Sequence, residues 1–292
     1  MFQILFNIIA PVVICAGLGY YWSKSNRSFH METITGLVSN IGAPMLIFTT
    51  LVQLEGDLTE FLEFGFIALI ALITFVPIGF VVLKLLKLDY RDYLPALMFP
   101  NTGNMGLPLC YFAFQQEGLI LALAFFTIHA VLQFTFGVWI ASGSGSITQF
   151  LKTPLVYAVS ISLALRWFEV PMPLWVIDTS KLLGGMTIPL MLMALGVSLA
   201  SLSAQHLKEA TILSVTRLLM GFLVGLGLSE LFGLEGTARG VLILECTMPV
   251  AVFNYLLSLR YGRAAGQVAG TVLVSTLLSF LTLPLLLLFL LG

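Results

Sequence analysis

The chain has 292 residues, 59% of them hydrophobic and only 9% charged, with a mean hydropathy of +1.04. A soluble domain carries roughly 25% charged residues, so this surplus of apolar surface calls for lipid as its outer solvent. A net charge of −1 excludes the basic field of a nucleic-acid binder, and no acidic tail is present.

A helix spanning a hydrocarbon core needs about 20 mostly apolar residues. In chain order, polar interruptions predict spans at 2–22, 34–54, 61–84, 94–113, 119–140, 155–169, 183–202, 210–232, 237–258 and 265–290. The start lacks a basic leader and a small-residue cleavage site, so 2–22 reads as a first helix. Residues 1–140 form a first half, 141–154 a short linker and 155–292 a second half. Pro171 and Pro173 frame a short interfacial segment within 166–181. If ten helices alternate, Lys24, Arg27, Lys84, Lys87, Arg91, Lys152, Lys208, Arg260 and Arg263 share one side. The other side holds only Arg166, Lys181 and Arg239. The positive-inside rule places the first group in the cytoplasm and both termini outside, as a multi-pass protein of a bacterial inner membrane. Acids gather outside: Glu55, Asp57, Glu60, Glu117, Glu169, Asp178 and Glu235.

The halves echo each other. Ala43-Pro44-Met45-Leu46-Ile47-Phe48 in the second span matches Ile188-Pro189-Leu190-Met191-Leu192-Met193 in the seventh. The same shift lays the polar break of the fourth span on that of the ninth. Five helices is an odd number, so the second half inserts upside down. The expected fold is an all-α membrane protein of ten transmembrane helices, in two inverted five-helix repeats with broken, crossing helices 4 and 9.

The fourth span carries Pro100-Asn101-Thr102-Gly103-Asn104-Met105-Gly106-Leu107-Pro108. Proline removes an amide donor, while glycine and asparagine tolerate non-helical dihedrals. Freed backbone groups in hydrocarbon cost several kcal/mol each unless protein or water satisfies them, so this stretch is expected to line a buried cavity. A single proline kink explains one proline, not such a cluster. Pro100, Gly103, Gly106 and Pro108 make this break; Pro249 makes the second, in Glu245-Cys246-Thr247-Met248-Pro249-Val250 with Asn254 beyond. Two unwound helices meeting at mid-membrane offer helix N-termini suited to an anion. Asn101, Thr102, Asn104, Thr247, Pro249, Val250 and Asn254 are the expected substrate contacts, joined by Gln133 and Asn40.

The run from Pro100 to Pro108 resembles the Asn-x-Gly-Asn/Phe-x-Gly-Leu-Pro signature of the auxin efflux carrier family. Thr247-Met248-Pro249-Val250-Ala251-Val252, with Asn254 behind, resembles its second signature. The resemblance implies a scaffold from helices 1, 2, 6 and 7, a mobile transport unit from 3–5 and 8–10, and association of two subunits. It also implies substrates such as auxin or dicarboxylates like malate and malonate. The chain lacks the long central hydrophilic loop of the plant carriers, which favours a short, bacterial-type member.

Glu245 and His129 are candidates for proton or ion coupling, since ionisable groups inside a membrane are costly. Each also has a plainer reading, as an acid bonded to freed backbone and as a packing histidine. Arg217 is expected to snorkel to the interface. Gly17, Gly184, Gly185, Gly196 and Gly270 are expected to let helices pack closely. Cys15, Cys110 and Cys246 read as packing residues, and no metal ligand set or catalytic constellation appears. The expected function is therefore an alternating-access secondary transporter of a small organic anion, driven by protons or sodium if coupled. It is not an enzyme and needs no cofactor. A cation/proton antiporter of related fold, and a transport-dead sensor, are the alternatives.

Overall fold

In hydrocarbon each backbone N–H and C=O must find a partner within the protein, and this chain meets that demand with helices. The computed structural model describes residues 2–25, 27–53, 58–143, 154–202 and 206–291. Glu55, Asp57, Lys152 and most of the predicted 141–154 linker fall outside them. Among the described residues there is no strand, only an isolated antiparallel bridge between Pro100 and Val250.

The first half runs α1 (Phe2–Lys24), α2 (Met31–Leu37), a π-helical turn at Val38–Gly42, α3 (Ala43–Val52) and α4 (Leu58–Leu86). It continues with α5 (Tyr90–Met98), a π-turn at Thr102–Gly106, α6 (Leu107–Leu132), a π-turn at Gln133–Gly137 and α7 (Val138–Ser142). The second half runs α8 (Pro154–Trp167), α9 (Leu174–Gly185), α10 (Thr187–Ser201) and α11 (Leu207–Leu231). It ends with α12 (Gly236–Thr247), α13 (Val252–Arg260) and α14 (Ala265–Leu291).

Seven helical runs among the described residues are long and apolar enough to cross a membrane: Gln3–Lys24, Met31–Val52, Thr59–Leu86, Thr102–Ser142, Leu174–Ser201, Leu207–Leu231 and Ala265–Leu291. The difference from ten has local causes. The predicted fourth and ninth spans are each two short rods separated by extended chain. The sixth is the 14-residue α8. The fifth continues α6 past Gln115, whose φ of 56° and ψ of −145° bend the run. The seventh begins earlier than predicted: α9 starts at Leu174, directly after Pro173, and passes through Met186 into α10. The stretch read as interfacial is therefore partly membrane-length helix. Pro44 and Pro189 both stand in the first turn of a helix restarting after an interruption, where a missing N–H costs nothing.

Packing divides into two neighbourhoods. In one, α1 lies along α10, and α3 packs on α8 and α9. In the other, α4 packs on α6, and α11 packs on α12 and α14. Small residues set the closest approaches. A Cβ on Gly196 would collide with the Ala16 backbone, and one on Gly19 with Met193, so the α1–α10 contact is backbone against backbone. Gly184 meets Leu46 in the same way, its ideal Cβ 2.9 Å from Leu46 Cα. Gly17 and Gly185 have nothing within 4 Å, so close packing falls to Gly19 and not to them.

Candidate functional site

Two helices break at one place, and each break satisfies the other. Beyond Met98 the chain turns extended at Phe99 (φ −105°, ψ 96°); beyond Thr247 it does so at Met248 (φ −56°, ψ 147°). The two extended segments lie antiparallel. The Asn101 N–H donates to Pro249 O at 2.7 Å, and the Ala251 N–H donates to Phe99 O at 3.2 Å. The Val250 N–H donates to Ser275 Oγ at 3.1 Å. Asn254 Nδ2 donates to Phe99 O at 2.9 Å, and Gln133 Nε2 donates to Asn254 Oδ1 at 3.3 Å. Prolines on both segments remove amides that this two-chain ribbon would leave unpaired.

The helical ends that run into the crossing present unpaired carbonyls, the negative poles of α5 and α12. Arg217 of α11 lies between them, wholly buried. Its Nη1 donates to Leu97 O at 2.8 Å, its Nη2 to Cys246 O and its Nε to Met248 O at 3.4 Å. The guanidinium lies 4.4 Å from the centre of the Phe75 ring. Each helix end carries about half a negative charge, so two ends supply roughly the single charge that the cation needs. The expected snorkelling of Arg217 is thus overturned, because a fork of five donors meets three convergent carbonyls that a hydrated ammonium could not bridge.

On the other side of the crossing helix restarts at Thr102 and at Val252, each with first-turn amides at its N-terminus. There a cavity of ≈ 640 Å³ opens, walled by Pro100, Asn101, Gly103, Asn104, His129 and Gln133 at its deep end. Phe126, Phe134, Met191, Phe253 and Tyr255 form apolar walls, and Asn40 and Ser198 face in from the α1–α10 neighbourhood. Among the described residues no Asp, Glu, Lys or Arg lines it. Asn101 Nδ2, both His129 ring nitrogens and Ser198 Oγ are buried without a hydrogen-bond partner. Unpaired polar atoms around a largely apolar chamber could accept a molecule with a polar head and an apolar body.

Of the predicted contacts, Asn101, Asn104, Gln133 and Asn40 line the cavity, and Thr102, Thr247, Pro249, Val250 and Asn254 do not. Asn40 donates to Gly36 O at 2.9 Å. Thr247 Oγ1 bonds back to Ile243 O at 2.6 Å, and Asn254 is spent holding Phe99 and Gln133. His129 lines the cavity edge-on to Phe99, ring centres 5.5 Å apart. Glu245 faces away from it, with no exposed surface. The aromatic and Met191 walls were missed in the sequence, since apolar residues on apolar helices carry no mark of which face they use.

This division makes a prediction. The Asn104 side chain lines the cavity and holds no hydrogen bond among the described residues, so Asn104→Ala should weaken ligand binding while leaving thermal unfolding unchanged. Asn254→Ala strips partners from a buried carbonyl and amide, and should cost about 1–3 kcal/mol of stability. Equal melting temperatures for the two purified variants would contradict the assignment.

The sequence matches the family described as Membrane transport protein over residues 4–150 and 145–287. An uncharacterized transporter of Methanothermobacter thermautotrophicus is 27% identical, with 87% of each chain covered. The uncharacterized transporter MJ1031 of Methanocaldococcus jannaschii is 26% identical, with 96% of each covered. The broken-helix motif, the run of membrane-length helices and this match agree: the chain belongs to the Membrane transport protein family, that of the auxin efflux carriers.

Proposed function

We propose that this protein is a secondary carrier of a small organic anion, working by alternating access with its site at the crossing of the two broken helices. One observation carries the reading: an apolar cavity whose deep end gathers Asn101, Asn104, His129 and the restarting turn at Thr102–Gly106. Amide donors and a helix N-terminus stabilise one negative charge without burying a fixed cation. A chamber with aromatic walls and no Lys or Arg among its described lining residues favours an auxin-like monocarboxylate over malate or malonate, whose second charge finds no partner among them.

Ten transmembrane segments in two inverted repeats accommodate the rest. Supporting this, α1 packs on α10 as α3 packs on α8, the exchange of partners that an inverted pair of repeats produces. The α1–α3 and α8–α10 helices would be the scaffold, against which α4–α7 and α11–α14 move. The cavity reaches Met31, Pro154, Ser201 and Leu259, at helix ends beside Lys24, Arg27, Lys208 and Arg260. With those cations in the cytoplasm of a cell membrane, the protein faces inward. A second cavity of ≈ 1020 Å³, with Gln53, Glu60, Glu117 and Lys181, lies on the opposite side as the outer vestibule. Two copies would associate through the scaffold. A cation/proton antiporter would need a carboxylate in the cavity wall, and the described residues supply none.

The test is uptake of radiolabelled indole-3-acetate and malonate into proteoliposomes, corrected for protein-free vesicles. Saturable uptake of indole-3-acetate, reduced at least tenfold in Asn104→Ala, is expected. Malonate uptake alone would move the substrate to the dicarboxylates. No uptake of either by correctly inserted protein would sink the reading and favour a sensor.

A further inference from the structure

Among the described residues Glu245 is the only fully buried acidic side chain, and the mechanism above does not use it. It sits on α12 one turn before the break, behind the crossing as seen from the cavity. Its Oε1 has a single donor, the Cys110 thiol of α6 at 3.7 Å, and its Oε2 has none. The carboxyl packs flat on Gly106, where an ideal Cβ would come 2.7 Å from Glu245 Cδ. Among the described residues no Lys, Arg or His nitrogen lies within 4 Å of either oxygen.

The surrounding elements leave few other titratable groups. Cys246 neighbours it on α12, Cys110 faces it from α6, and Arg217 comes from α11, while the Thr102–Gly106 turn brings none. Arg217 is already engaged by the carbonyls of Leu97, Cys246 and Met248. An ionised carboxylate holding one weak thiol bond in this place would be prohibitively costly, whereas a neutral acid is tolerated. A sodium ion would need several oxygen ligands, and a thiol and a glycine Cα supply none.

We propose that Glu245 is the proton site of the transport cycle, carried as a neutral carboxylic acid in this state and coupled to the substrate through the Thr102–Gly106 turn. This deepens the anion-carrier reading and rests on it for the coupling. One face of that turn presents Gly103 and Asn104 to the cavity, and its last residue, Gly106, floors the carboxyl. A negative charge bound on the cavity face opposes ionisation of Glu245 behind it. The proton therefore precedes the anion: Glu245 is already neutral when the anion loads, and it gives up the proton only after the anion has left, in a state of the cycle that opens the carboxyl to water. Gly106 is needed because any side chain there would push the carboxyl off the turn.

Infrared difference spectra of the full-length protein in lipid test the proton site without any substrate. Wild type should show a carboxylic-acid C=O band at neutral pH that is absent in Glu245→Gln. Cys110→Ser, a stronger donor, should move that band to lower wavenumber, which keeps the test decisive should the Gln variant fail to fold. A wild-type spectrum without such a band, or one unmoved by Cys110→Ser, overturns the proposal. In proteoliposomes Glu245→Gln should keep exchange of indole-3-acetate across the membrane but lose at least tenfold of its accumulation under an inward proton gradient. Accumulation equal to wild type also overturns it. Failure of wild type itself to move either indole-3-acetate or malonate strikes the anion-carrier reading and the coupling, leaving the infrared result to decide the proton site.

Discussion

Arg217→Met should lower the stability of the purified protein by about 3 kcal/mol or more, seen as early thermal unfolding and loss of monodisperse protein in detergent. Hydrogen bonds to a charged group contribute roughly 1.5–3 kcal/mol each, and three converge here. Methionine fills much of the volume but leaves the carbonyls of Leu97, Cys246 and Met248 facing an apolar side chain. Arg217→Lys keeps the charge and loses the fork, so it should recover only part of the loss. The reason the effect is large is positional: Leu97 and Cys246 belong to different broken helices, and Arg217 ties both ends to α11. An Arg217→Met protein that melts with wild type would mean that the extended segments hold the crossing unaided.

The two breaks were legible in the sequence because proline, glycine and asparagine act locally. Pro100 to Pro108 and Pro249 are visible as disruptions wherever the helix happens to sit. What each residue does at the break was not legible, because that depends on which side of the crossing it occupies. Asn101 and Asn104 line the cavity, while Asn254 turns to the Phe99 carbonyl. Arg217 was misread for the same reason. A lone arginine two turns into an apolar helix snorkels when nothing else answers it, and its three carbonyls lie 29, 31 and 120 residues away in sequence. Helix ends at Leu174 and α8 were blurred by apolar composition on both sides of Pro171 and Pro173.

Gly221→Ala should be among the most damaging single-methyl additions in the protein. An ideal Cβ there would lie 2.8 Å from the Cys246 carbonyl carbon and 3.0 Å from Thr247 Cα, backbone atoms at the very end of α12. Gly225 meets Ile243 Cα at 2.9 Å one turn further on. Arg217, Gly221 and Gly225 recur every fourth residue, so they share one face of α11, and the glycines let that face approach closely enough for the guanidinium to reach its carbonyls. Overpacking of this kind costs about 1–3 kcal/mol by itself. Forcing α11 outward should also lengthen the Arg217 bonds, so the two losses should not be independent. In the Arg217→Met background Gly221→Ala should therefore cost clearly less than in wild type, a coupling that a double-mutant cycle on thermal stability measures directly. Gly227→Ala is the control, for its Cβ meets nothing within 4 Å and alanine favours helix by roughly 1 kcal/mol. Strict additivity of Gly221→Ala and Arg217→Met would separate the close approach from the clamp, and leave Gly221 as a packing residue that serves α12 alone.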